Sequence, residues 1–172
     1  MTPFIGLITL LLVQAPQCPD TEMHRFDFLI GDWHGREYNF TNGHADSTPG
    51  DLIAARNRKL PYGCAFEEHW EFTVDGKVAS TSVIRGYDLA SNQWKYSLVD
   101  QFIELAVFDS QQSDSGWVFT HDIPGANPRR LRIKWIATTA GYTEVVEVSP
   151  DSGRTWPIIR HLNYTRDRVR PT

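Results

Sequence analysis

Two acidic residues occupy positions where alternation calls for apolar ones. In the run 64–74, Phe66, Glu68, Trp70 and Phe72 fall on one side, and Glu67, His69 and Glu71 on the other, so Glu68 shares the apolar face. In the run 93–101, Trp94, Tyr96, Leu98 and Asp100 share a face in the same way. A carboxylate drawn among apolar side chains must be paired, hydrogen-bonded or protonated through a raised pKa. The same property suits it to general acid or base work. Arg85, Arg160 and Arg166 are the candidate partners, because the run 156–166 sets Ile158, Arg160, Leu162, Tyr164 and Arg166 on one side. Glu68 and Asp100 are therefore the candidate catalytic residues, and Trp70, Arg85, Tyr96, Trp135 and Arg160 the candidate wall or anchor residues of a ligand site. The competing account is a satisfied internal salt bridge with no further role.

The elements that must position these residues are strands. After Trp33 the sequence divides into short runs at regular intervals, roughly 33–40, 52–60, 64–74, 78–88, 93–101, 102–109, 116–121, 130–138, 141–149 and 156–166. Turn chemistry separates them: Asn42-Gly43, Asp75-Gly76, Ala90-Ser91-Asn92, Ser113-Asp114-Ser115-Gly116, Ala140-Gly141 and Asp151-Ser152-Gly153. The run 130–138 splits Leu131, Ile133 and Trp135 from Arg130, Arg132 and Lys134. No long segment holds a helical period, so a helical turn is expected only near residues 22–30. The expectation is an all-β, antiparallel up-and-down barrel of about ten strands with a short N-terminal helical turn. Gly31-Asp32-Trp33-His34-Gly35 sets a Trp between two glycines at the start of the first strand, where it can plug one end of a barrel.

Length and composition bound the rest. A chain of 172 residues fits one domain, and its six Trp, six Tyr and nine Phe provide an aromatic core. A net charge of −4 with mixed signs argues against a nucleic-acid surface. Pro3 to Val13 is uncharged and apolar, too short to span a bilayer as a mature helix, and reads as a secretory leader. The domain organisation expected is a leader over 1–20 and one barrel domain over 21–172. Periplasmic or secreted localisation follows, or cytoplasmic if the leader is not cleaved. Cys18 and Cys64 pair if a leader is cut ahead of Cys18; otherwise Cys64 is a lone thiol, with a small buried hydrophobe its plainest role. His34, His69 and His121 have no common spacing that marks a metal site, and no metal or cofactor is expected.

Several segments, in order, resemble a widespread, poorly characterised bacterial family of calycin-like, or lipocalin-like, proteins that open with a motif like FDFWxGEW. They are Phe26-Asp27-Phe28-Leu29-Ile30-Gly31-Asp32-Trp33, Gly63-Cys64-Ala65-Phe66-Glu67-Glu68-His69-Trp70 and Ser80-Thr81-Ser82-Val83-Ile84-Arg85-Gly86-Tyr87-Asp88. Trp94 with Val99-Asp100, Arg132-Ile133-Lys134-Trp135 and the segment from Glu147 to Trp156 complete the series. Leu29 stands where that family often has Trp, and Ser152 where it has the first glycine of an Asp-Gly-Gly turn. The resemblance implies a lipocalin-like barrel in which Trp33 closes one end and Arg166, matching an Arg of the lipocalin last strand, lies across it as a cation–π contact. Ser149 to Trp156 also looks like a single Asp-box hairpin of sialidase propellers, with Asp151 bonding its own loop and Trp156 packed beneath.

The residues leave binder and enzyme open. Small barrels hold one ligand, which points to a small, largely apolar molecule as partner, with no nucleic acid and with a homodimer left open. The alternative is an isomerase, cyclase or lyase using Glu68 or Asp100 in the same cavity. No nucleophile elbow, phosphate loop or metal cluster is visible. A third reading is haem binding through His161, as in the similar nitrobindin barrels. Alternation turns His161 to the side of Ile159, Asn163 and Thr165, and the glycine-rich GxWxGxGxG opening of that family is missing. A barrel filled by its own side chains is the fourth.

Overall fold

The structure is a computed structural model that describes residues 18–41, 44–46, 49–61, 63–74, 76–100, 105–113 and 116–166, with the side chains of Val74 and Asp100 left out. The apolar run Pro3 to Val13 lies outside the described residues. A short helix α1 (Asp20–Met23) and a 3-10 turn (Asp27–Leu29) precede the strands β1 (Gly31–Thr41), β2 (His44–Ala45), β3 (Leu52–Lys59), β4 (Ala65–Val74), β5 (Lys77–Asp88) and β6 (Gln93–Asp100). They are followed by β7 (Ala106–Ser113), β8 (Gly116–Ile123), β9 (Arg129–Ala137), β10 (Gly141–Ser149) and β11 (Ile158–Thr165). Ten strands pair antiparallel in sequence order, and β1 pairs with both β3 and β11, so the sheet closes into an up-and-down barrel. β2 is an extra strand that folds back on the end of β1. Closure leaves no long unpaired edge among these ten strands.

Alternation assigns the faces as expected. Phe66, Glu68 and Trp70 of β4, Trp94, Tyr96 and Leu98 of β6, and Ile133 and Trp135 of β9 are buried, while Glu67, Glu71 and Val99 are exposed. Two expectations shift. Residues 102–104 of the run 102–109 lie outside the described residues; β7 begins at Ala106 and continues through Asp109–Ser113, because that polar stretch pairs residue by residue with Gly116–Thr120. The hairpin register sets its extent there, and hydrophobic pattern alone does not report it. The two-residue β2 carried no pattern to read.

One end of the barrel is sealed by the N-terminal segment. Phe26 meets Trp94 edge-on at 4.8 Å, and the Trp33 indole stands edge-on to Tyr142 at 5.0 Å while its Nε1 donates to the Leu29 carbonyl at 2.7 Å. Arg166 lies over the Trp33 ring at 4.7 Å and donates to the Ile30 carbonyl at 3.2 Å, so the expected cation–π cap is present. Gly35 has no room for a side chain: a Cβ there would stand 2.5 Å from Cε1 of Tyr164, whose ring stacks on Tyr142 at 4.5 Å. The plug is fastened in two further ways. Cys18 and Cys64 form a disulfide across 46 residues, which settles the pairing left open by the sequence and assigns Cys64 more than a packing role. Glu22 of α1 is buried, paired to Arg25 at 2.8 Å, and accepts hydrogen bonds from the indoles of Trp94 at 2.8 Å and Trp117 at 3.2 Å.

The hairpin after β10 matches its expected anatomy. Asp151 accepts from the backbone N–H of Arg154 and Thr155 and from the Thr155 hydroxyl, and these bonds hold its carboxyl down at about 2. Trp156 donates to the Gly153 carbonyl and packs beneath Arg132, 4.1 Å from its ring centre. Ser152 adopts φ of +59°, a left-handed backbone that favours glycine.

Candidate functional site

Above the plug the inward positions carry ions. Glu68 of β4 and Arg85 of β5 are both 0 % exposed, and Arg85 Nη2 stands 2.6 Å from Glu68 Oε2. The approach is off the N–H direction, so neither group makes a directed hydrogen bond. Arg85 is stacked instead: its guanidinium carbon lies 3.5 Å from the Trp135 ring centre, 5.0 Å from that of Tyr96 and 5.2 Å from that of Phe66. Burial pushes the Glu68 carboxyl up to about 7; Arg85 pulls it back and a second carboxylate, Glu144, pushes it further. Burial likewise holds the hydroxyls of Tyr96, Tyr142 and Tyr164 well above their ordinary value. This layer is the internal salt bridge that competed with a ligand role for Glu68 and Arg85.

Glu144 was not among the sequence candidates, although the signal was there. Alternation along β10 groups Tyr142, Glu144 and Val146 just as it groups Phe66, Glu68 and Trp70. The side chain is 1 % exposed; its Oε2 accepts from Trp135 Nε1 at 3.0 Å, while Oε1 has no hydrogen-bond partner among the described residues. Burial raises its pKa, opposed by Arg160 and Arg85. Arg160 Nη2 lies 3.8 Å from Glu144 Oε1, and Arg160 Nη1 lies 4.0 Å from Glu37 Oε1, both loose ion pairs. Arg160 thus serves Glu144 and Glu37 rather than Glu68.

From this layer to the mouth opposite the plug the barrel is hollow. A cavity of about 680 Å³ opens there, lined by Trp70, Phe72, Leu98, Phe108, Ile133 and other apolar side chains, with Glu37, Asp51, Glu144, Arg160 and His121 as its ionisable groups. Its volume falls in the range of about 300–1,000 Å³ common to small-molecule sites. Of the candidate wall residues, Trp70, Tyr96 and Arg160 line it. Glu68, Arg85 and Trp135 are not among its lining residues: Arg85 packs against both, 2.6 Å from Glu68 and 3.5 Å from the Trp135 ring centre. Asp100 occupies the register position opposite Thr81, a cavity residue, at the end of β6, but its side chain lies outside the described residues.

His161 is turned to the outer face, where its ring packs on Phe40 at 4.7 Å, and burial lowers its pKa. A group in the cavity is out of its reach, so the nitrobindin-like haem ligand is corrected. Among the described residues no three His, Cys, Asp or Glu side chains converge on a metal position. No protein-family model matches the chain, and a search of curated proteins finds no relative of it.

Proposed function

We propose that the barrel binds one small, largely apolar molecule in the cavity opposite the Trp33 plug. A single observation carries this reading: the interior is hollow for about 680 Å³ above the ion layer, with aromatic and aliphatic walls and a few polar groups. A barrel that served only as a structural module would gain stability by filling that space with side chains. The order of motifs resembling the calycin-like family supports the same reading, and we assign the chain to that family on this ground. The disulfide favours an oxidising compartment, and with it export, with the leader ending ahead of Cys18 rather than at residue 20.

The test is uptake of an environment-sensitive naphthalene dye, followed with the fluorescence of Trp70 in the cavity wall. Saturable, one-to-one uptake that is lost in Ala106→Phe, which fills the cavity from β7, supports the reading. Uptake that is absent, or unchanged in Ala106→Phe, overturns it. One observation favours a catalytic second reading. Glu144, a cavity carboxylate with a raised pKa, is placed to exchange a proton with a bound molecule, which the enclosed Glu68 is not.

A further inference from the structure

The apolar walls say what body the ligand has; the ionisable groups say what head it carries. Among the described residues the ionisable lining of the cavity is three carboxylates, Glu37, Asp51 and Glu144, one guanidinium, Arg160, the imidazole of His121, whose Nδ1 is engaged with the Val107 carbonyl at 2.9 Å, and the hydroxyl of Tyr96. Arg85 acts on Glu144 through charge alone: it is enclosed by Trp135, Tyr96 and Phe66, pairs with Glu68, and is not among the residues lining the cavity. Arg160 is shared between Glu37 and Glu144 at 4.0 and 3.8 Å, too far for a hydrogen bond to either. Glu144 Oε1 is therefore a buried acceptor at the cavity wall with no donor, in a place where an unsatisfied acceptor is costly. A ligand carboxylate or phosphate would enter as a further negative charge beside these three and would leave that acceptor unmet. Arg160 Nε is a buried donor that also has no partner, but it already has two carboxylates beside it; what Glu144 Oε1 lacks, a positive charge and N–H donors, an ammonium supplies.

Resting on the binding role proposed above, we infer that the cavity takes a cationic amphiphile, whose amine head seats against Glu144 and Glu37 while its apolar body runs to the mouth past Phe72, Leu98 and Phe108. The charge on the head is the discriminating feature, since an alcohol of the same length fits the same walls and offers one neutral donor. A charge-assisted hydrogen bond in such a setting exceeds a neutral one enough to give a preference of about tenfold or more.

The experiment compares octylamine, octanol and octanoate at pH 7.5 by displacement of the cavity dye from the full chain. Octylamine is expected to bind about tenfold or more tighter than octanol, with octanoate weakest. Glu144→Gln, checked for its fold by near-ultraviolet circular dichroism, should bring the amine-to-octanol ratio close to one. Glu37→Gln, on the more exposed carboxylate, should lower the ratio part of the way and serves if Glu144→Gln does not fold. Equal binding of amine and alcohol, or tightest binding of octanoate, overturns the cationic head and leaves the apolar cavity standing. A ratio unchanged in both variants also overturns it. Dye uptake with displacement by none of the three overturns the amphiphile, whereas failure of dye uptake overturns the binding reading itself.

Discussion

The Glu68–Arg85 pair makes a quantitative statement about stability and pH. Glu68 titrates at about 7 in the folded barrel against an ordinary value of 4.5, because burial penalises its ionised form more than Arg85 repays. Below the ordinary value the group is protonated in both folded and unfolded chains, and its contribution is fully present. As pH rises through the interval from 4.5 to about 7, the unfolded chain ionises freely while the folded one resists, and stability is lost. About 2.5 pH units at 1.36 kcal/mol each amount to a loss of about 3 kcal/mol, complete a little above pH 7. Glu144 contributes with the same sign, so the clean measurement is a difference. Urea unfolding of the wild type and of Glu68→Gln, followed by tryptophan fluorescence at half-unit steps from pH 4 to 8 and constant ionic strength, isolates the Glu68 contribution. The two proteins should keep a fixed offset at the acid end, and the wild type should then fall by about 3 kcal/mol relative to the variant as pH 7 is passed. A flat difference across that interval would show that the attraction of Arg85 balances burial, and a wild type that gains on the variant that it outweighs burial; either would refute the reasoning about the ion layer.

Two further perturbations address the sealed end. Gly35→Ala places a methyl group 2.5 Å from Cε1 of Tyr164, so the Tyr164–Tyr142 stack must shift, at a cost of about 1–3 kcal/mol in chemical denaturation; an unchanged midpoint would mean the rings yield freely. Glu22→Ala strands the indole N–H groups of Trp94 and Trp117 and should cost about 2–3 kcal/mol at pH 7. Burial pushes the Glu22 carboxyl up, but Arg25 and the two indoles bring it below 4.5, so the advantage of the wild type is present at neutral pH and fades as pH falls below that value. Thermal unfolding at pH 7 and pH 3 reads both effects, and an advantage that grows in acid would contradict the assignment.

Strand number, strand faces and the plug were legible in the residues because each depends on neighbours in the chain. A period of two is fixed by the pleat, turn residues by local backbone sterics, and the Trp33 step by two adjacent glycines. The same local rule put Glu68 among apolar residues and, applied to Tyr142-Glu144-Val146, would have found Glu144. Alternation says which way a side chain points, but not at what height along the barrel it arrives. That height follows from the stagger of ten paired strands, which sets Phe66 beside Arg85, Arg85 beside Tyr96 and Glu144 beside Trp135. Packing across strands therefore gathers Glu68, Arg85 and Trp135 away from the cavity and leaves Glu144 and Arg160 in its wall, and the tertiary fold joins Cys18 to Cys64. Inward direction was a property of each strand's own sequence, whereas the division of inward residues into plug, ion layer and hollow came from distances between strands far apart in the chain.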